Sequence, residues 1–300
     1  MPPGEKSHHH LMPFLAVAAG IASFSVMDAL MKGASLEVGA YNAMLWRSLI
    51  GVTIMFPLWK LTGGVWPQRA AMRLHALRGL NGAIMATMFF YGLKFLPLAE
   101  GMAISFIAPL IALYLAAVLL GETIERRAIF ASLLGLAGVA VITGARLGGS
   151  GYSSQAAWGI AAILGSAVLY AWNLILQRQQ AQIAAPVEVA TFQAAFAALF
   201  LGLLAPWLAV QPSLEALGYV SGSAVLAAIS LMVISWGYGR AETQVLLPLE
   251  YTAFIWAALL GWLMFDEALT LPTVAGAVLI VIGCWIATRK QAVHTEQTAL

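Results

Sequence analysis

Glu250 is a carboxylate set about seven residues into a run of apolar sequence, and side chains able to share its chemistry recur along the chain. In lipid an ionisable group costs at least about 2.5 kcal/mol, so it needs a partner or a task. Glu250 has the chemistry to hold a substrate ammonium or to carry a coupling proton. The alternative is a structural carboxylate paired with Arg240 or hydrogen-bonded to a neighbouring helix. Ser105 is its counterpart in the other half of the chain, and Pro109, one turn on, corresponds to Phe254. Side chains four apart share a helix face. Pro109 lacks an N–H, which frees a carbonyl near Ser105 as a ligand atom.

Two further sets stand out. Asp28 and Lys32 are one helical turn apart, with Arg47, Lys94 and Glu100 expected at similar depth. This mixed-charge set suits an outer gate or a structural ion-pair network. Met88 and Tyr91, Leu169, Trp172 and Asn173, Ser235 and Trp236, and Phe106 and Tyr251 add aromatic, soft and amide groups. Such residues build adaptable small-molecule pockets. Trp and Tyr also concentrate at membrane boundaries for purely interfacial reasons.

Catalytic signatures are missing. There is no HExxH, no GxSxG and no Cys/His metal spacing. His8, His9, His10 and His294 fall in the tails, His75 in a loop, and the lone Cys284 in an apolar run that suits a packed thiol. The expectation is no enzyme, no cofactor and no metal. A polytopic enzyme remains a remote alternative, and nothing resembles a channel filter or a ring of like charges.

The elements that hold these groups follow from composition. The chain is 61% hydrophobic and 9% charged, with a mean hydropathy of +0.87. Soluble domains carry roughly 25% charged residues. The solvent around most of this chain is therefore lipid. The net charge of +2 has no basic patch behind it, which excludes nucleic acid. A membrane span takes about 20 helical residues. Ten such runs occur, over 12–32, 41–60, 77–96, 98–120, 128–146, 156–177, 187–209, 217–239, 243–265 and 271–288. The stretch 62–76 is long enough to lie along the membrane surface, where Arg69, Arg73 and Arg78 suit headgroups. No signal peptide is evident, because residues 1–11 are polar and the apolar run after them is followed by many more.

The second half repeats the first at an offset near 145 positions. Gly20 falls on Gly165, Asp28 on Asn173, Gly92 on Gly237, Glu122 on Glu267 and Gly138 on Gly283. Five spans per half means that the second half enters the membrane inverted. The expected fold is an all-α polytopic membrane protein of ten transmembrane helices in two inverted five-helix repeats. They occupy 12–146 and 156–288, with tails at 1–11 and 289–300 and an outer linker at 147–155. Inverted repeats build carriers with a site near the midplane. Ala131, Gly135 and Gly138, with Gly276, Ile280 and Gly283, make the fifth and tenth helices close-packing scaffold.

Orientation follows from the basic residues. With a cytoplasmic N-terminus, Lys6, Lys60, Arg69, Arg73, Arg78, Arg126, Arg127, Arg178, Arg240, Arg289 and Lys290 lie inside. Lys32, Lys94 and Arg146 lie outside, and Arg47 lies within a helix. Both termini are expected in the cytoplasm, with the chain a multi-pass protein of a bacterial inner membrane.

Leu120-Gly121-Glu122 and Phe265-Asp266-Glu267 resemble the end-of-helix acidic motif of the drug/metabolite transporter superfamily. Residues 248–262 and 93–109 resemble the ninth and fourth helices of its EamA-type members. The resemblance spans both halves. It implies a cavity between helices 1, 3, 4, 6, 8 and 9, and export of amino acids or related metabolites. Nucleosides or toxic amphipaths are the alternative substrates. The chain departs from the aromatic amino-acid exporters of this family at Ala108, where they carry tryptophan. Its partners are expected to be the bilayer and a small-molecule substrate, in a monomer or homodimer.

Overall fold

The computed structural model describes residues 8–120, 126–148, 154–238, 240, 246 and 249–288. Their regular structure is helical throughout: α1 (His8–Val38), α2 (Ala40–Leu61), α3 (Arg69–Leu93), α4 (Leu98–Ser105), α5 (Ala108–Leu120) and α6 (Arg126–Gly148). The second half holds α7 (Ser154–Ala181), α8 (Pro186–Gly202), α9 (Ala205–Leu208), α10 (Leu214–Tyr238), α11 (Thr252–Phe265) and α12 (Leu271–Thr288). Met12–Val38, Ser154–Gln177 and Leu214–Ile234 are each long and apolar enough to cross a bilayer unbroken. Shorter apolar helices include Leu98–Ala112 and Thr252–Phe265.

Local chemistry sets the joints. A single residue, Gly39 at φ 83, separates α1 from α2, in a left-handed conformation that glycine adopts without strain. Pro186 opens α8, where no N–H is needed. The fourth span breaks at Phe106 and Ile107, just before Pro109. Leu110 N–H bonds back to Ile107 O at 3.0 Å, a tightened turn. The carbonyls of Ser105 and Phe106 are thereby released from the helical ladder, and the Cys284 thiol donates to Phe106 O at 3.3 Å.

One boundary differs from the sequence reading in a way that matters. The third helix begins at Arg69, not near 77, and Arg78 is 8% exposed, turned inward rather than toward headgroups. His75 is likewise buried within α3 rather than placed in a loop. Arginine in the first turns of a membrane helix reads as an interfacial residue. Interhelical partners overrode that position.

Packing follows the repeat. Exchanging the halves carries α1 into α7, α2 into α8, α3 into α10 and α6 into α12. α1 packs on α10 and α7 packs on α3, which are the same contact made twice. α2 packs on α8 and α6 on α12. Glycines carry these crossings. A Cβ on Gly92 would fall 2.4 Å from Ile163, and one on Gly237 would fall 2.4 Å from Val17. A Cβ on Gly138 would fall 2.5 Å from Gly276 O, and one on Gly276 would fall 2.6 Å from Gly138 O. Backbones this close gain dispersion contacts where lipid offers no hydrophobic drive. Met27, Met31, Leu93, Leu98, Ile104 and Ile163 fill the core, while Leu133, Trp158, Trp262 and Leu271 face outward.

Candidate functional site

Polar groups gather at two opposite ends of the bundle and around Tyr170 between them. At the C-terminal end of α1, Lys32 is 3% exposed and makes an ion pair with Glu267. Lys32 also donates to Leu96 O at 2.7 Å, and its ammonium lies 5.2 Å from the Phe265 ring centroid. The other oxygen of Glu267 accepts the Leu98 N–H at the start of α4, at 2.7 Å. A carboxylate is well placed there, because a helix N-terminus leaves N–H groups unpaired and positively polarised. The α11 end makes this reach feasible. Asp266 takes a left-handed φ of 54, Glu267 N–H bonds to Gly261 O at 3.1 Å, and a Cβ at Gly261 would sit 2.7 Å from Glu267 Oε2. Glu100 accepts from Thr273 Oγ1 at 3.3 Å. Lys32, Lys94, Glu100 and Glu267 line one cleft of about 500 Å³. Asp28 and Arg47 are not among its walls. They attract one another electrostatically without forming an ion pair.

At the N-terminal end of α3, a ladder of side chains joins α3, α7 and α8. His75 Nε2 lies 3.0 Å from Glu188 Oε1, and Gln180 Nε2 hydrogen-bonds His75 Nδ1. With Nδ1 accepting from an amide, the proton sits on Nε2 and points at Glu188. Gln180 Oε1 accepts from Arg78 Nη1, and Asn173 Oδ1 accepts from Arg78 Nε at 3.2 Å. Phe192 stacks on the His75 ring with centroids 5.0 Å apart. The register was present in the sequence: His75 and Arg78 are three apart on α3, and Asn173 and Gln180 are seven apart on α7, each pair on one face.

Tyr170 links the ends. The residue is 37% exposed. It also lies within electrostatic reach of Glu250, Asp28 and Arg78. These charges sit on the ninth span, α1 and α3, so helices flank the ring on several sides.

The remaining predicted residues divide. Asn173 is buried against Arg78. Trp172, Phe254 and Pro109 are half-buried, and Glu250 is exposed. Phe106 and Tyr251 meet edge-to-face, with centroids 5.5 Å apart. Met88 packs over Gly165, where a Cβ would fall 2.4 Å from its Cε. Ser105 Oγ turns back to Gly101 O at 2.9 Å, and Leu169 O accepts from Asn81 at 3.1 Å. Tyr91 meets Phe95 edge-to-face, with centroids 5.3 Å apart. Trp236 carries the Arg240 guanidinium 4.5 Å above its ring. The side chain of Ser235, and Glu122 altogether, lie outside the described residues. Sequence reasoning missed the hydrogen-bonded ladder of His75, Arg78, Gln180 and Glu188.

Comparison with known proteins accounts for both halves. The chain is 27% identical to the pseudopaline exporter CntI of Pseudomonas aeruginosa, over 90% of this chain and 93% of that one. It is 29% identical to the aromatic amino acid exporter YddG of Ancylobacter novellus, over 74% and 76%. A solved crystal structure shares the fold with a TM-score of 0.60 at 24% identity, covering 94% of this chain and 96% of that one. The EamA-like transporter family matches twice, over residues 11–144 and 157–289, once for each repeat, and the chain belongs to that family of membrane transporters.

Proposed function

We propose that the chain exports small metabolites, amino acids first among them, across a bacterial inner membrane by alternating access. The observation that carries this reading is Tyr170, a partly exposed ring on α7. Asp28, Arg78 and Glu250, on helices of both repeats, lie within its electrostatic reach. A site that presents both signs of charge suits a zwitterion. The names of the two exporter relatives point the same way. The basic-residue bias places both termini in the cytoplasm and the Lys32 end outside. The Lys32–Glu267 pair then closes the outer mouth, and the two repeats rock around a site beside Tyr170 to open it. The tyrosine, the aromatic pair Phe106 and Tyr251, and Trp172 supply its apolar walls.

Counterflow in proteoliposomes tests the proposal. Vesicles preloaded with an unlabelled amino acid should accumulate the same labelled amino acid in exchange. Nucleosides run in parallel distinguish the alternative substrate class. In Glu250→Gln, a proton-coupled carrier loses pH-driven accumulation and keeps exchange, whereas a substrate-ammonium site loses both. Normal flux and normal pH dependence in that variant would remove Glu250 from the site. No exchange with any amino acid in the wild type would overturn the amino-acid reading.

A further inference from the structure

Arg78 is a buried cation in the membrane-spanning part of the chain, and its hydrogen-bond partners, Asn173 and Gln180, are both neutral amides. Among the described residues no carboxylate forms an ion pair with it. Its Nη2 makes no hydrogen bond to another described residue. The contrast with Lys32 is direct, because that buried cation does have its carboxylate. A cation held in place but not neutralised is the arrangement expected of an anion-binding group awaiting its ligand. The amides fix the guanidinium plane through Nε and Nη1, which leaves Nη2 as the free prong of the fork. Tyr170, partly exposed on α7, stands within electrostatic reach of both this guanidinium and Glu250.

We propose that Arg78 binds the carboxylate of a zwitterionic substrate, with the substrate's ammonium directed toward Glu250 and its side chain against Tyr170. This assignment rests on the amino-acid reading above and specifies how that site recognises its ligand. Asn173 and Gln180 are positioning residues for the guanidinium. A carboxylate ligand satisfies two needs at once: it neutralises the buried cation and it completes the donor fork. An uncharged analogue, or an amine lacking the carboxylate, leaves the cation as it was and gains only the apolar contacts.

The test is ligand binding to the purified full-length protein, measured by calorimetry. The probes are L-phenylalanine, L-histidine and L-lysine, and the carboxamide of each. For at least one pair, the wild type should bind the free acid at least about tenfold more tightly than the carboxamide, as expected for loss of a charge-assisted hydrogen bond. In R78Q the acid should weaken to the level of the carboxamide, with the carboxamide affinity unchanged. R78K, which keeps the charge but not the planar fork, is the second variant if R78Q does not fold, and its acid preference should fall below about threefold. A wild type that binds acid and carboxamide equally would overturn the assignment, as would either folded variant retaining the full preference. Binding of no probe in either form would instead overturn the amino-acid reading, and this assignment with it. General loss of both affinities in R78K, together with a lowered melting temperature, would mark Arg78 as structural and also overturn the assignment.

Discussion

The two ends of this bundle solve the same problem differently. At the Lys32 end a buried cation meets a partly buried carboxylate from the far repeat, and the carboxylate's second oxygen takes a helix N-terminus. At the His75 end a buried guanidinium meets two amides, and the available carboxylate, Glu188, is spent on His75 instead. At the first end the buried cation is neutralised, and the pair joins α1 and α4 to the segment after α11. The second is geometrically fixed and electrostatically open. A closed charge pair stabilises one conformation, whereas an unneutralised charge is stabilised by whatever anion arrives. The repeat sharpens the contrast. α3–α7 and α10–α1 are equivalent crossings with matching glycines, yet Arg78 corresponds to Ser223 and Asn173 to Asp28. Ser223 donates its hydroxyl to Val220 O within its own helix. The scaffold was kept in both copies, and the polar groups diverged.

The largest effect should come from breaking the neutralised end. Lys32→Met leaves Glu267 without its buried cation and should cost about 3–5 kcal/mol, read as a lowered melting temperature in detergent. The double variant Lys32→Met with Glu267→Met should recover part of that loss. If the single variant melts like the wild type, the pair is not what holds this end. Next come the crossings. Gly92→Val and Gly237→Val should each cost about 1–3 kcal/mol, because each new Cβ overlaps a core side chain. Strongly unequal losses would show that the two crossings are not equivalent scaffold.

At the open end, Arg78→Gln should cost only about 1–2 kcal/mol, since its loss breaks two hydrogen bonds but strands no charge. A loss as large as that of Lys32→Met would erase the distinction between the ends. Asn173→Asp tests the same point from the other side. It supplies Arg78 with a permanent carboxylate, which should leave stability equal or about 0.5–1 kcal/mol higher while lowering amino-acid exchange about tenfold. Unaltered exchange in a folded variant would show that the open charge is not used. The smallest effect is expected at the helix break. Cys284→Ser keeps a donor for Phe106 O and should shift stability by less than about 1 kcal/mol, against a larger loss in Cys284→Ala.

Much of the architecture was legible because lipid imposes strict rules. Runs near membrane length, a repeat at a fixed offset and glycines at matching positions follow from one-dimensional order. The break before Pro109 was readable too, since a missing N–H acts on the chain's own ladder. The gate set was only partly readable. Lys32, Lys94 and Glu100 share a cleft, but their acidic companion there is Glu267, more than half the chain away from Lys32. Arg78 and His75 were assigned to the surface because basic residues before an apolar run usually belong there. Their facing partners on α7 lie 95 to 105 residues away, and spacing within one helix does not reveal what stands opposite.

The sequence by itself determined that the chain is helical, polytopic, twofold repeated and inverted, because solvent and backbone hydrogen bonding act on every residue in the same way wherever its partners lie. Which charges are neutralised was decided only in three dimensions. A lysine, an arginine and a histidine in lipid all demand partners, but the partner is chosen by helix crossings that bring distant side chains within about 3 Å of one another. Tertiary structure gave Lys32 a carboxylate and Arg78 two amides, and that difference separates a neutralised cation from one held only by neutral partners.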